Sequence, residues 1–333
     1  MIIAVVDIGT TNSRVRLIKD MKIIAISKST IGIKDVSITG KKDLLMNELE
    51  KLTGESLLKA GKRLEDIEYF VASGMVTSEL GLCEIPHKIS PVSETDLSRG
   101  IIKKSFEKLG NIPFYFIPGV KNKIDINNID SLAEMDMMRG EEVETFGVLE
   151  LCKVSGPFIV ILPGSHSKIV YVDNENKIEK CSSSMAGELI QAITSHTILA
   201  QCLKKKLVSY VDEEYLLRGL KFEEENSLTK AIFAVRLMNT LLDTTENQRA
   251  NFLAGAIISN DISRNLVNDI KAKNYKRIYI GGSNQLKYIF EVILKSKISK
   301  EMEVVLLNDE ITEMASPIGA IKIANMAHIE NTK

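Results

Sequence analysis

The chain has 333 residues, 44% hydrophobic and 26% charged, with a formal net charge of -1. That length suits two domains with substantial cores, and the interspersed charges argue against nucleic acid or an anionic membrane as partner. Cys83, Cys152, Cys181 and Cys202 are scattered without Cys-x-x-Cys spacing, so reduced thiols are expected. No apolar stretch reaches the length of a membrane span, and the first apolar run lacks the basic leader and cleavage site of a signal peptide, so the expected location is the cytoplasm.

The first apolar run, Ile2 to Val6, reads as a buried strand, and Asp7-Ile8-Gly9-Thr10-Thr11-Asn12 reads as a tight turn into a second strand. Each turn residue has a use if the ligand is a nucleotide phosphate. Gly9 lets the backbone approach without a side chain in the way. Thr10, Thr11 and Asn12 offer donors, and successive backbone N–H groups can form an anion nest. Asp7 leaves the strand end as a lone carboxylate, suited to holding Mg²⁺ through water. An ordinary hairpin turn is the competing reading, since Asp, Gly, Thr and Asn all suit one.

Ile23 to Ile26 is a third strand of the same meander, and Asp43 to Ala60 has leucines at near-helical spacing, ending at Gly61. Tyr69-Phe70-Val71-Ala72 is a strand breaking at Ser73-Gly74-Met75-Val76, where ligands of α/β sheets tend to bind and where a structural loop is the alternative. Ser93 to Leu109 reads as a helix with Ser93 as N-cap. Ile112 to Val120 gives another strand and turn, and Lys121 to Asp130 a surface loop without periodicity. Asp136-Met137-Met138-Arg139-Gly140-Glu141-Glu142 then leads a charged loop into a helix. Carboxylates at a helix N-terminus are favoured by the macrodipole, and one of them is also a candidate general base.

Phe158 to Leu162 repeats the opening logic as a buried run ending in Pro163-Gly164-Ser165-His166-Ser167-Lys168, with the strand Ile169-Val170-Tyr171-Val172 directly behind it. Two strand–turn–strand units suggest two similar domains facing each other across a nucleotide, the layout of the actin-like superfamily of sugar kinases, heat-shock ATPases and actin. Ser182 to Ile190 is a small-residue loop opening a helix through Leu203. Helices follow over Asp212 to Leu220, Leu228 to Leu242 and Glu246 to about Lys271, with Phe233, Leu237 and Leu241 expected in the core. Ile278-Tyr279-Ile280-Gly281-Gly282-Ser283 is a strand and Gly-Gly turn against which an adenine can lie. Val304 to Leu307 is the last strand, and Glu313 to Met326 a closing helix whose Ala315, Gly319, Ala320 and Ala324 suit a close crossing near a hinge.

Asp7-x-Gly9-Thr10-Thr11-Asn12-x-Arg14, Ile117-Pro118-Gly119, Met138-Arg139-Gly140-Glu141-Glu142, Leu162-Pro163-Gly164-Ser165-His166-x-Lys168 and Met185-x-Gly187-Glu188-Leu189 together resemble the 2-dehydro-3-deoxygalactonokinases. Phe252-Leu253-x-Gly255 and Gly281-Gly282-Ser283 follow in the family's order. The chain departs from the family in having no Trp, with Ile8 and Ile169 at two positions where the family usually or often carries it.

The resemblance implies an α/β protein of two actin-like domains, with mixed sheets flanked by helices and an ATP cleft between them. The domains expected are residues 1–150 with the C-terminal helix 312–329, and residues 151–311. The implied activity moves the γ-phosphoryl of ATP to the 6-hydroxyl of 2-dehydro-3-deoxy-galactonate, in galactonate breakdown. Asp7 is assigned to Mg²⁺ through water, and Asp7, Gly9, Thr10, Thr11, Asn12, Gly164, Ser165, His166, Lys168, Gly281, Gly282 and Ser283 to ATP and its phosphates. For Lys168 a solvated position on the second hairpin is the alternative. Arg14, Gly74, Met75, Arg139, Gly187 and Glu188 are assigned to the sugar acid, the arginines because a planar guanidinium matches a carboxylate. Glu142 is the preferred base, with Asp136 and Glu141 as rivals. The partners are a sugar acid and ATP, with a homodimer allowed for. A polyphosphate or nucleotide phosphohydrolase of the same fold and a non-catalytic ATP-binding regulator are the other readings.

Overall fold

The structure, a computed structural model, describes residues 1–41, 43–124, 128–203, 208–262, 264–273, 275–282, 284–299 and 301–330. The chain forms two compact units, one of Met1–Gly156, Val172–Cys181 and Asp309–Lys333, the other of Pro157–Tyr171 and Ser182–Asn308.

The first unit opens with the strands β1 (Ile2–Ile8), β2 (Ser13–Lys19) and β3 (Lys22–Ser29), followed by helices α1 (Ile33–Thr39) and α2 (Asp43–Ala60). Then come β4 (Ile67–Gly74), β5 (Lys88–Ile89), α3 (Glu94–Ser98), β6 (Ile102–Lys104), β7 (Phe114–Phe116), β8 (Val120–Lys121), β9 (Met137–Met138) and α4 (Glu141–Cys152). The chain goes on through β10 (Phe158–Leu162), β11 (Ser167–Val172), β12 (Ile178–Ser184), α5 (Ala186–His196), α6 (Ala200–Leu203), α7 (Glu213–Glu225) and α8 (Leu228–Leu241), all in the second unit except Val172 and the first four residues of β12. It ends with α9 (Glu246–Ile258), α10 (Arg264–Lys273), β13 (Arg277–Ile280), α11 (Asn284–Lys297) and β14 (Glu303–Leu306), after which α12 (Asp309–Glu330) returns to the first unit.

The first sheet has the order β3-β2-β1-β4-β7-β6, with β1, β2 and β3 antiparallel, β4 parallel to β1, and β7 parallel to β4. The second has the order β12-β11-β10-β13-β14, with β13 parallel to β10 and β14 parallel to β13. Each therefore begins with three sequential strands and adds two parallel strands on the far side of the first, with β6 antiparallel at the edge of the first sheet. A small third sheet joins β5, β8 and β9. The central strands are buried on both faces, as β1 and β10 show, which explains their unbroken apolar sequences. Phe70, Phe114 and Phe116 stack inside the first core at centroid separations of 5.0 and 4.6 Å.

Three sequence expectations are corrected. Ser93 to Leu109 is not one helix: α3 stops at Ser98, and β6 and a single 3-10 turn, Glu107–Leu109, occupy the rest. Pairing of Ile102–Lys104 with β7 overrides the local helical pattern. The segment from Glu246 is broken into α9 and α10 around Asn260–Asp261. Phe233, Leu237 and Leu241 are not core, being 52%, 43% and 72% exposed; α8 buries Ala231, Ala234, Val235 and Met238 instead.

The small residues of α12 serve a close crossing with α4. A Cβ on Gly319 would lie 1.8 Å from the Val143 carbonyl oxygen, and one on Gly147 would lie 1.8 Å from that of Ala315. Backbone cannot retreat as a side-chain tip can, so each methyl would force the helices apart. Gly319→Ala is expected to destabilise the protein by about 1–3 kcal/mol, measured as a lowered denaturation midpoint, and an unchanged midpoint would contradict this packing.

Candidate active site

The turn between β1 and β2 is shaped by what takes its carbonyl groups. Gly9 N–H donates to Asn12 O at 2.8 Å and closes it. The first turn of α1 then approaches, Ile33 N–H donating to Gly9 O at 3.1 Å and Lys34 N–H to Thr10 O at 2.9 Å. In a planar trans peptide the N–H points opposite to the C=O. Capturing these two carbonyls therefore turns the Thr10 and Thr11 N–H groups away from α1, two in succession. Thr10, Thr11 and Asn12 are exposed, so this amide face is open to an anion.

Charged groups surround the turn. Strand register places Arg14 opposite Asp7, with Arg14 NH1 3.7 Å from Asp7 Oδ2. Arg16, on the same face of β2 two residues on, is 3% exposed and gives Nε and NH2 to Glu313 Oε1 at 3.0 and 2.9 Å, while its NH1 stands 4.0 Å from Asp7. Gly74 ends β4 at φ +86°, and a Cβ there would sit 2.9 Å from Ile8 O and 3.5 Å from Asp7 Oδ1. Gly140 precedes α4 at φ +109°, and its Cβ would reach Gly74 Cα at 3.4 Å. The end of β1, the end of β4 and the start of α4 thus meet at two bare glycines.

Three glutamates open α4. Glu142 is fully buried, and both its carboxyl oxygens accept the Gly140 N–H, at 2.9 and 2.8 Å. Burial, then repulsion from Glu141, pushes its carboxyl up to about 8, against the lowering effects of the Gly140 N–H and of Arg139. Glu144, which sequence reasoning passed over, is likewise pushed up to about 8 by burial, Glu141 and Asp7, with Arg16 and Arg14 opposing. Its spacing from Glu141 was the available signal, since residues three apart share a helix face.

Arg139 is already engaged: NH1 donates to Thr77 Oγ1 at 2.8 Å and NH2 to Ile85 O at 2.7 Å. It braces the 3-10 turn Met75–Thr77, and so the half-buried Met75, rather than presenting an open fork. Asp136 lies apart on the β8–β9 side, its carbonyl accepting Asn122 N–H at 2.9 Å and its Oδ1 the Met137 N–H at 2.7 Å.

In the second unit, Ser165 O accepts the Glu188 N–H at 2.9 Å, and His166 Nε2 pairs with Glu188 Oε2 at 2.8 Å. A Cβ on Gly187 would lie 2.1 Å from Gly164 O, so the start of α5 is pressed against the turn. Ser165 and His166 are exposed; Lys168 is buried and bonded to Ser183, not solvated. Gly281 N–H donates to Ile161 O at 2.9 Å, and Gly282, at φ +84°, sits against Pro163. The predicted Ser283 lies outside the described residues.

Among the described residues no three His, Cys, Asp or Glu side chains converge as a metal cage. Asp7, 29% exposed at the strand end, fits the lesser demand of a hydrated Mg²⁺ that arrives with a nucleotide.

The 2-keto-3-deoxy-galactonokinase model matches residues 7–312. The chain belongs to that family. Membership makes this galactonokinase relative a kinase, a phosphotransferase, as the sequence motifs imply. A protein from Rhizobium meliloti (strain 1021) described as a probable 2-dehydro-3-deoxygalactonokinase is 23% identical over 303 residues, covering 88% of this chain and 89% of its own. A solved Sinorhizobium meliloti protein assigned as a 2-dehydro-3-deoxygalactonokinase superposes with a TM-score of 0.74 at 21% identity, over 97% of this chain and 96% of that one. The ADPNP-bound activator of 2-hydroxyisocaproyl-CoA dehydratase from Clostridium difficile superposes with a TM-score of 0.53 at 12% identity, over 100% and 97%. The chain therefore has the actin-like fold of these structures, and its membership of a kinase family implies use of ATP. No described helix is long and apolar enough to cross a membrane.

The Glu142 carboxyl has a direct consequence for stability. Its proton is held more tightly in the folded chain, about 8 against an ordinary 4.5, so its contribution is present below 4.5 and lost as pH rises through about 8. Glu142→Gln, which does not titrate but still accepts the Gly140 N–H, is expected to gain on wild type in thermal midpoint between pH 5 and 8. Parallel pH–midpoint curves for the two proteins would contradict the buried, protonated state.

Proposed function

We propose that this chain transfers the γ-phosphoryl of ATP to the 6-hydroxyl of 2-dehydro-3-deoxy-galactonate, in the cytoplasm and within galactonate breakdown. The observation that carries it is the pair of aligned amides at Thr10 and Thr11, in the turn that follows Asp7 and Ile8, where the end of β1 meets Gly74 and Gly74 meets Gly140 ahead of α4. In the first unit, Gly9, Thr10, Thr11 and Asn12 bind phosphate oxygens. In the second, Gly164, Ser165 and His166 do the same, with Glu188 orienting the imidazole and Gly281–Gly282 receiving the adenine.

Mg²⁺, held through water by Asp7, supplies neutralising charge on the phosphates when bound. The sugar hydroxyl attacks the γ-phosphorus, the bridging β–γ P–O bond breaks, and ADP leaves. The hydroxyl proton passes to the Glu142 carboxylate. A carboxyl whose pKa lies about 8 is a stronger base than an ordinary one once ionised. Arg14, 41% exposed beside Asp7, is the better of the two arginines for the acid's carboxylate, because both terminal nitrogens of Arg139 already donate within the fold. Met75 completes the substrate contacts of the first unit.

ADP release should require a 2-keto-3-deoxy acid. Equally fast hydrolysis of ATP or polyphosphate without an acceptor would favour the phosphohydrolase reading. Glu142→Gln should bind both substrates yet lose roughly 10²-fold in kcat. Wild-type turnover in that variant, with loss in Asp136→Asn, would move the base to Asp136. Arg14→Met should lose about ten- to a hundredfold in kcat/KM for the acid while a neutral analogue is little affected; equal losses on both would remove Arg14 from carboxylate recognition.

A further inference from the structure

Asp261 follows α9, its N–H donating to Ile258 O at 3.0 Å, and no role falls to it in the chemistry above. The Ser184 and Ser167 hydroxyls hydrogen-bond its carboxylate. Its Oδ2 is shut from solvent with no partner among the described residues. The two serines are special in position. Ser167 is the first residue of β11, directly after His166 of the second phosphate turn, and Ser184 is the last of β12, just ahead of α5 with its Gly187 and Glu188. The Ser184 hydroxyl also accepts the Ala186 N–H at 3.4 Å, so it links Asp261 to the start of α5.

Neighbouring residues of a strand point to opposite faces. Ser167 and Ser184 meet Asp261 on one face, while Lys168 and Ser183, the next residues inward along each strand, are bonded to each other on the other. Both strands are thus pinned at the point where the turn and α5 diverge. Above it, the turn leans on α5 through Glu188 N–H to Ser165 O at 2.9 Å and through the His166–Glu188 pair. Slack between the strand ends would reach these contacts directly.

We propose that Asp261 is a positioning residue for nucleotide phosphate: by gathering the Ser167 and Ser184 hydroxyls it sets the second turn against α5 so that Gly164, Ser165 and His166 meet the phosphates together. This rests on the kinase reading above. Burial pushes the Asp261 carboxyl up to about 6, against the lowering effect of the two hydroxyls, so the group is kept where desolvation opposes its charge. A side chain whose only task were to fill that space would not need to be an acid.

The test measures ATP affinity by titration without sugar, alongside steady-state kinetics with ATP and sugar acid varied in turn. Asp261→Ala should weaken ATP binding and raise its KM roughly tenfold, Ser167→Ala and Ser184→Ala should each do so about threefold, and Asp261→Asn, which keeps one acceptor oxygen, should fall between wild type and Asp261→Ala. The KM for the sugar acid should stay within about twofold in all four. Unchanged ATP affinity in Asp261→Ala, or equal losses for ATP and sugar acid, would overturn the assignment. If Asp261→Ala does not fold, unchanged ATP affinity in both serine variants overturns it. A wild-type protein that binds ATP but phosphorylates no 2-keto-3-deoxy acid would defeat the substrate assignment alone, and the ATP titrations would still decide on Asp261.

Discussion

The amide face of the first turn depends on two carbonyl groups being taken. A short turn of Gly, Thr, Thr and Asn has amides that can face anywhere, and most such turns bind nothing. Here the N–H groups of Ile33 and Lys34 hold the Gly9 and Thr10 carbonyls, and peptide planarity turns the next two amides the opposite way. This amide pair is oriented by backbone alone, through the Ile33 and Lys34 N–H groups. The second turn has the Glu188 N–H on Ser165 O, which fixes the His166 amide by the same rule.

Placing carboxylates around an anion site costs energy, and the structure shows where the cost is offset. Asp7 stands beside Arg14 and Arg16, and Arg16 is itself held by Glu313 of α12. Glu142 avoids carrying a buried charge by keeping its proton, with its oxygens on the Gly140 N–H. Such a carboxyl is charged only in part at neutral pH, which links the stability of α4's first turn to its ionisation. The close α4–α12 crossing, made possible by Gly147 and Gly319, carries both Glu142 and Glu313 and ties the two halves of the charge network together.

Much of this was legible in the amino-acid order. Apolar runs ending in Asp7-Ile8-Gly9-Thr10-Thr11 and Pro163-Gly164-Ser165-His166 gave away both turns, because a strand buried on both faces has an unbroken apolar pattern and a phosphate turn needs small residues and donors. The family motifs located Glu141, Glu142 and Glu188. What could not be read was long-range. Nothing local marks Arg16 as a partner of Glu313, 297 residues away, or Asp261 as the acceptor for Ser167 and Ser184. Arg139 was expected to read a carboxylate because guanidinium chemistry suits that task, yet the fold uses one N–H of each terminal nitrogen on Thr77 and Ile85. The α8 stripe of Phe233, Leu237 and Leu241 has the period of a core-facing surface, but α8 buries its smaller residues instead.

The central claim is that the phosphoryl group ends on a primary alcohol of a sugar acid, and the product can be observed directly. Phosphorus-31 NMR of a reaction holding the protein, MgATP and 2-dehydro-3-deoxy-galactonate should show one phosphomonoester resonance, split into a triplet by the two C6 protons, growing in step with ADP. A growing inorganic phosphate signal with no ester, or an ester coupled to a single proton, would contradict it.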